Sequence, residues 1–302
     1  MLDINLLGTG GMVPLPGRFL TSLLVRYQGV GVLVDCGEGT QVAIRAAGRG
    51  MRNIGVILLT HFHADHVAGL PGLLLTAGNS GRTEPLLIAG PKHVGKVVDC
   101  LRVIAAQLPY EVRYLEIPKD GGEFYSIGEL RLSAHPVEHW IPCYAYRFDL
   151  PRQGRFLPEK AGALNIPVKL WKKLQSGEAV EANGRAVLPE EVLGPPRKGL
   201  RACYATDMRP SPSLSVFAEN SDLFICEGMY GGDDQLDKAI EHRHCLFSEA
   251  AGMAKNAGVN ELWLTHFSPA LPNPGEFIGV ARRIFPHTYI DKKDTILHFD
   301  NC

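Results

Sequence analysis

NIGVILLTHFHADHVAGL, residues 53–70, joins a continuous apolar run to three histidines and an aspartate. The run GVILLT is apolar at successive positions, which predicts a strand buried on both faces. His61, His63, Asp65 and His66 follow it, and H-x-H spacing in an extended segment places two imidazoles on one side. Four such side chains at the end of a buried strand are costly to desolvate unless something binds there. Imidazole and carboxylate together are typical ligands of zinc, manganese or iron.

A similar strand end recurs as ELWLTHFSP at 261–269, where it carries His266. One loop cannot complete a site for two metals, so further ligands are expected at other strand ends. The candidates are His139 in HPVEHWIPCY, with His135 as the alternative, and Asp207 in CYATDMRP. A carboxylate has two oxygens, so Asp207 is well suited to bridge. The histidines at 93, 242, 287 and 298 lack this context and are expected on the surface or in the core.

The composition indicates a globular protein without a global charge signal. The chain has 302 residues, 45% of them hydrophobic, and a formal net charge of −1. That length suits about two domains, or one large α/β domain with an insertion. Seven cysteines without a C-x-x-C pair favour reduced thiols in a cytosolic protein. We find no signal peptide or apolar run of membrane-spanning length, so we expect a cytoplasmic protein without a membrane partner.

Short apolar runs bounded by turn residues predict strands along most of the chain. They include INLLGTGG, SLLVRY, VGVLVDCGEGT, GVILLTH, PLLIAGP, RLSAHP, CYAYRFD, RACYATD, DLFICEG and ELWLTHF. Helical patterns lie between some of them, at 67–78, 92–107, 246–257 and 274–285. We expect the helix after the histidine cluster to begin near Val67. The alternation predicts α/β layers around mixed sheets.

Residues 150–199 interrupt this pattern with a Pro- and Gly-rich segment that is poor in strands. The segment holds nine Lys/Arg and five Asp/Glu, a balance of +4 on an otherwise acidic chain. Such a basic insertion is either a contact surface for phosphates or a solvated excursion.

Taken together, these motifs resemble the ribonuclease Z (tRNase Z) family of the metallo-β-lactamase superfamily. The similar segments are LLGTGG, VLVDCGEGTQ, THFHADHVAGLPGLL, EHWIPCYAYRFD, GRFLPEKAGALNIPVKLWKKLQSGEAV, GRAVLPEEVLGPPRKG and LTHFSP. The resemblance covers almost the whole chain. It implies a four-layer αββα fold over 1–302, with two mixed sheets packed face to face. It also implies that 150–199 is an inserted arm that grips tRNA.

The resemblance further implies a dinuclear zinc phosphodiesterase that removes the 3′ trailer from precursor tRNA, with manganese or iron as alternative metals. One metal would be held by His61, His63, His139 and Asp207, and the other by Asp65, His66, Asp207 and His266. The metals would share a hydroxide aligned to attack the phosphorus. The catalytic candidates are Asp65, the general acid His244, preferred over His242, and Glu227, which would orient it.

The recognition elements depart from the family pattern more than the ligands do. Ala64 replaces a glycine of the metal loop, Thr206 and Met208 flank Asp207 in place of glycine and threonine, and Cys245 and Leu246 replace two hydroxyl residues after His244. The early loop reads Pro14, Leu15, Pro16, Gly17, Arg18, Phe19. Pro167, Val168 and Lys169 stand where the arm usually has a Gly-Pro turn. Candidate phosphate contacts are Arg152, Arg155, Lys169, Lys172, Lys173, Arg197 and Lys198, and Trp171 is expected to anchor the arm.

Two other functions remain open from the sequence. An enzyme of the same fold acting on a small diester, such as a cyclic nucleotide, fits the altered loops but leaves the basic arm without a purpose. A metal-binding RNA adaptor without turnover fits poorly with a full ligand set and a candidate acid. The family arrangement, in which the arm of one subunit serves the other, implies a homodimer.

Overall fold

The computed structural model describes residues 1–299, which form two compact units. The first comprises Met1–Asp149 and Arg201–His298, and the second comprises Leu150–Leu200 with Phe299. The first unit contains two seven-stranded sheets. It holds every residue of the proposed metal centre.

The first sheet has the order β16-β1-β2-β3-β4-β5-β6. Its strands are β1 (Leu2–Gly8), β2 (Ser22–Tyr27), β3 (Val30–Val34), β4 (Ile54–Leu58), β5 (Leu86–Gly90), β6 (Val112–Glu116) and β16 (Asp294–Leu297). The strands from β3 to β6 are parallel, whereas β16, β1, β2 and β3 pair antiparallel. The sheet is therefore mixed, as the sequence predicts.

The second sheet has the order β15-β14-β13-β12-β9-β8-β7. Its strands are β7 (Gly122–Ile127), β8 (Leu130–Val137), β9 (Cys143–Arg152), β12 (Arg197–Ala205), β13 (Leu223–Glu227), β14 (Glu261–Thr265) and β15 (Thr288–Tyr289). The strands from β12 to β15 are parallel, and β7, β8 and β9 pair antiparallel. Every strand run predicted from the sequence is present.

Helices cover one face of each sheet, and alternation along the strands separates the two faces. Leu33 and Ile57 pack in the core beneath the helices of the first sheet, whereas their neighbours Val34 and Leu58 are buried on the opposite face. The helices are α1 (Thr40–Ala46), α2 (Ala64–Val67), α3 (Leu70–Asn79) and α4 (Val94–Leu101) beside the first sheet, and α7 (Pro212–Phe217), α8 (Leu236–His242), α9 (Phe247–Ala257) and α10 (Ile278–Arg282) beside the second.

The inner faces of the two sheets meet through large buried side chains. Tyr146 and Trp263 are completely buried, and the Tyr146 hydroxyl donates a 2.6 Å hydrogen bond to the carbonyl of Leu59 after β4. Thr21 and Thr265 join the sheets through hydroxyls 3.0 Å apart. The αββα fold predicted from the sequence is thus confirmed. Because both faces of each central strand are buried, these strands read as continuous apolar runs.

Helix lengths differ from the sequence patterns at several ends. The helix expected to begin near Val67 begins instead at Ala64, within the histidine cluster, and α3 begins separately at Leu70. The pattern 274–285 is a 3₁₀ turn, Pro274–Phe277, followed by the short α10. Periodicity predicts an apolar face but does not locate such breaks.

The second unit has its own small apolar core. It contains α5 (Pro158–Ala163), α6 (Val168–Gln175) and a hairpin of β10 (Val180–Ala182) and β11 (Arg185–Val187). Leu174 and Val187 are buried in that core, and Trp171 packs against it. The Trp171 indole N–H donates to the carbonyl of Ile166, so this side chain anchors the unit internally.

The six cysteines within residues 1–299 are unpaired thiols, five of them buried; Cys302 lies outside the described residues. No helix in that range is both long and apolar enough to cross a membrane.

Candidate metal centre

The strand ends of the first unit bring one group of three histidines and an aspartate together. His61 and His63 follow β4, His139 follows β8, and Asp207 follows β12. One ligand atom from each of the four lies within 4.8 Å of the others. His63 Nδ1 is 3.0 Å from His61 Nε2 and 3.2 Å from His139 Nε2. Ring nitrogens that converge on one point in this way are arranged as zinc ligands are.

A second group lies beside the first and contains Asp65, His66 and His266. Oδ2 of Asp65 is 3.4 Å from His66 Nε2 and 3.5 Å from His266 Nε2. His266 follows β14, so the repeated LTHF motif supplies a ligand from each sheet. The geometry therefore gathers all seven ligand candidates predicted from the sequence.

Asp207 belongs to the first group and also faces the second. Its Oδ1 lies 3.8 Å from Nε2 of His61, while its Oδ2 lies 3.1 Å and 3.3 Å from Nε2 of His66 and His266. Its backbone is left-handed, with φ 54°, a conformation uncommon for a non-glycine residue. One carboxylate oxygen of Asp207 thus faces the first group and the other faces the second.

Unsatisfied polar atoms test whether these residues fit a metal. Three buried atoms have no hydrogen-bond partner: His66 Nε2, His266 Nε2 and Asp207 Oδ2. The two nitrogens lie 3.1 Å and 3.3 Å from that oxygen. Burying such groups without a partner costs free energy, and converging lone pairs are what a cation requires. The donor set of imidazoles and carboxylates fits zinc.

The electrostatics of the second group favour positive charge. Burial lowers the pKa of His66, but attraction to Asp207 and Asp35 outweighs it and raises that pKa well above its usual range. Burial also lowers the pKa of His266, but Asp207 and Asp65 outweigh that effect and raise it to about 10. These carboxylates thus stabilise a cation here, whether protons on the rings or a metal ion.

The first group is different, because its histidines are held neutral. Burial lowers the pKa of His61, and the neighbouring His66 lowers it further. Burial also lowers the pKa of His63 and of His139. A neutral imidazole is the form that binds a metal, so these three are ready to act as ligands.

Glu227 and His244 form a buried pair next to both groups. Glu227 is the last residue of β13 and is fully buried, and its Oε2 lies 2.9 Å from His244 Nδ1. Its Oε1 accepts a hydrogen bond from the backbone N–H of Met208. Burial lowers the pKa of His244, but Glu227 reverses this effect and raises it. His244 is therefore held by Nδ1 with its Nε2 directed away from Glu227.

The local structure explains two features of the metal loop. His63 is the N-cap of α2, so Asp65 and His66 lie on the first helical turn rather than in an extended segment. Ala64 is helical and not among the residues with positive φ, which explains why alanine is tolerated where the family has glycine. The backbone N–H of Met12 donates to Asp65 Oδ2 at 2.8 Å and fixes that carboxylate.

The alternative histidines lie elsewhere. His135 Nε2 pairs with the Ser213 hydroxyl at 3.1 Å, and its ring stacks on Phe217. His242 Nδ1 lies 2.7 Å from the Tyr230 hydroxyl on an exposed surface. The preferences for His139 and His244 agree with this geometry.

Sequence reasoning missed Asp35, whose carboxylate contacts the candidate ligand His66 on the side away from the other candidates. Asp35 follows β3 and is fully buried, and it accepts hydrogen bonds from the N–H and hydroxyl of Thr60. Its Oδ2 lies 2.8 Å from His66 Nδ1. A carboxylate behind a ligating imidazole fixes its tautomer and orientation. The available signal was an aspartate directly after the buried strand VGVLV.

Arg209 was missed as well, although it braces two loops of the site. Its guanidinium donates to the carbonyl of His244 and pairs with Glu249 at the start of α9, while its backbone N–H donates to the carbonyl of Glu138. The loops carrying His139 and His244 are thereby tied together. His244 lies 35 positions after Arg209 and Glu138 lies 71 positions before it, and no sequence pattern indicates contacts at such separations.

The candidate phosphate contacts all lie in the second unit. Lys169, Lys172 and Lys173 are exposed on α6 at i, i+3 and i+4, which places them on one face. Arg155 and Lys198 are exposed. Nε of Arg197 donates to the carbonyl of Gln153, and Arg152 lies over the ring of Phe299.

Two relatives of known name are similar to the chain over its whole length. The chain is 50% identical to Ribonuclease Z of Lachnospira eligens over 303 residues, covering 100% of this chain and 99% of that protein. It is 47% identical to Ribonuclease Z of Lachnoclostridium phytofermentans over 302 residues, 99% of each. Its structure resembles that of human tRNase Z, short form, with a TM-score of 0.66, 23% identity and coverage of 89% and 93%. A family model described as Anti-Pycsar protein Apyc1 matches residues 2–146.

Proposed function

The chain belongs to the ribonuclease Z family, and we propose that it hydrolyses one phosphodiester bond of precursor tRNA to remove the 3′ trailer. The observation that carries this proposal is Asp207, whose two carboxylate oxygens face two separate groups of histidines. Phosphodiester hydrolysis is a reaction for which paired metal ions are suited. The match over the full length, arm included, supports tRNA as the substrate.

The proposed cofactor is a pair of zinc ions, with manganese or iron as substitutes. His61, His63 and His139 would hold one ion, Asp65, His66 and His266 the other, and Asp207 would contact both. When bound, such ions supply Lewis acidity that activates water and stabilises charge on the phosphate.

The protein's own groups then handle the protons. Asp65 is ionised, because His66 and His266 overcome the effect of its burial and lower the pKa of its carboxyl. Besides holding an ion, Asp65 is assigned the role of accepting a proton from the attacking water. His244 donates a proton from Nε2 to the departing ribose 3′ oxygen, which is a poor leaving group unless protonated. Glu227 is a positioning residue that holds His244 through Nδ1. The products are a tRNA with a 3′-hydroxyl and a trailer with a 5′-phosphate.

The second unit is the proposed tRNA-binding arm. Its exposed lysines on α6 supply positive charge that attracts the phosphate backbone whatever the RNA sequence.

We further propose a cytoplasmic homodimer in which the arm of one subunit serves the metal centre of the other. Subunit mixing tests this arrangement with two inactive proteins: Asp207→Ala, and a variant with Lys169, Lys172 and Lys173 changed to Gln. A mixed dimer of the two should recover activity, because one subunit keeps its metal centre and the other keeps its arm. Failure to recover, with mixed dimers formed, would place the arm and the centre on one subunit.

The decisive experiment incubates the zinc-loaded protein with a 3′-extended precursor tRNA and maps both ends of the cut. A cut just after the discriminator nucleotide that leaves a 3′-hydroxyl would support the proposal. No cut, with brisk hydrolysis of a small chromogenic diester by the same sample, would favour the small-substrate alternative. Binding of tRNA without hydrolysis of either substrate would favour the adaptor.

A further inference from the structure

An exposed tryptophan lies directly beside the metal centre. Trp140 follows His139 in the chain and is 60% exposed, whereas His139 is almost buried. The guanidinium carbon of Arg243 lies 4.3 Å from the centre of the Trp140 ring. A guanidinium covers one face of an indole, so the exposed area includes the other face. A large aromatic surface beside a hydrolytic centre is available to a ligand.

Arg243 contributes a positive charge to the same place. It precedes His244, and its Nη1 donates a 2.7 Å hydrogen bond to the carbonyl of His139. Throughout residues 1–299, no carboxylate forms an ion pair with it. Its backbone is left-handed, with φ 57°, where it ends α8. An arginine held in an uncommon conformation, with its charge unneutralised, is suited to bind an anion.

The pair joins the two loops that carry a proposed ligand and the proposed acid. The rings of His139 and His244 lie 5.6 Å apart, and Trp140 and Arg243 are the residues adjacent to them. A group stacked on Trp140 is therefore next to the position of the bond that is cut. Indole stacking together with an arginine is a recurrent way to hold an unpaired nucleotide.

We propose that Trp140 and Arg243 form a nucleotide subsite, in which an unpaired base of the RNA stacks on Trp140 and its phosphate contacts Arg243. The subsite rests on the proposed function, because it serves the nucleotides that flank the cleaved bond. It places the single-stranded end of the substrate, whereas the arm contributes general backbone affinity. Stacking tolerates any base, so the subsite selects unpaired over paired RNA rather than a sequence.

Equilibrium binding of a short single-stranded oligoribonucleotide, compared with the same backbone carrying abasic riboses, tests the proposal. The wild-type protein should bind the base-containing strand roughly tenfold more tightly, as expected for stacking on one aromatic ring. Trp140→Ala should remove that preference, and Trp140→Phe should retain most of it. Tyr125→Ala, at an exposed aromatic on β7, is the matched control and should change nothing. Arg243→Met should weaken binding of both strands.

Zinc content is measured in every variant, to distinguish a nucleotide-binding role of Trp140 from a structural role in positioning His139. If Trp140→Ala loses zinc and weakens both strands equally, the tryptophan supports His139 and the proposal fails. An equal affinity of the wild-type protein for both strands would also overturn it. These results are independent of cleavage, since a protein that prefers the base-containing strand but does not cut precursor tRNA would retain the subsite and lose the proposed function.

Discussion

Glu227 Oε2 lies 2.9 Å from Nδ1 of His244 and only 3.5 Å from Nδ1 of His266. One buried carboxylate thus contacts both the proposed general acid and a proposed metal ligand. Its hydrogen bond to His244 leaves Nε2 as the free nitrogen of that ring, while its charge raises the pKa of His244 and of His266. One carboxylate therefore links the proposed proton donor electrostatically to the proposed metal centre.

Replacing Glu227 with glutamine should separate proton donation from the rest of the reaction. The amide presents N–H to Nδ1 and so favours the wrong tautomer of His244. We expect kcat on precursor tRNA to fall by about 10²–10⁴-fold, the usual contribution of a general acid. A diester with a nitrophenolate leaving group needs no proton and should lose far less. Equal losses on both substrates, at unchanged zinc content, would contradict the assignment of His244 as the acid.

Changing Asp207 to alanine should remove the contact shared by the two ligand groups. We expect activity on every substrate to be lost and zinc content to fall below the proposed two ions per chain, while the far-UV circular dichroism stays that of the folded protein. Asp99→Asn, on the exposed surface of α4, is the control and should keep both zinc and activity. Retained hydrolysis by the Asp207 variant would remove the two-metal assignment.

Asp35 should control metal affinity without contacting a metal. Asparagine at this position keeps the hydrogen bond from Thr60 but no longer stabilises the His66 tautomer that ligates through Nε2. Changes of this kind behind a ligand typically weaken metal binding by about 10–100-fold. Competition with a zinc chelator measures this value directly. Unchanged zinc affinity in Asp35→Asn would mean that the aspartate serves only the fold.

Local chemistry explains which parts of this site could be predicted from the sequence. Candidate ligands that directly follow buried strands, such as His61 and His266, are predictable because the strand and the side chain are adjacent in the chain. Asp35 contacts partners 25 and 31 residues away, and the Arg209 side chain contacts partners 35 and 40 residues away, through contacts that only the assembled sheets create. The fold was predictable from the same apolar runs and from the family resemblance. Breaks such as the one between α2 and α3 were not, since periodicity is insensitive to them.

Arg209→Met should loosen the proposed acid while leaving tRNA binding intact. The variant loses the hydrogen bond to the carbonyl of His244 and the ion pair with Glu249, both largely shielded from water. We expect a stability loss of about 2 kcal/mol, typical of a hydrogen bond to a charged group, measured by urea denaturation. The value of kcat should fall with little change in KM. A change confined to KM would instead indicate that Arg209 contacts the substrate.

The lysines of α6 provide the sharpest test of the arm. Lys169, Lys172 and Lys173 are exposed on one face, so changing all three to glutamine removes charge without disturbing Leu174 in the core beneath. Each phosphate contact that is lost should lower the slope of log affinity against log salt concentration by about 0.9, and hydrolysis of a small diester should be unaffected. The matched control changes Lys96, Lys119 and Lys255, exposed lysines of the first unit, to glutamine and alters net charge equally. If both triple variants lose tRNA affinity to the same extent, the effect comes from net charge and the arm has no special role. Loss in the α6 variant alone, with an altered salt slope, would assign phosphate binding to this helix.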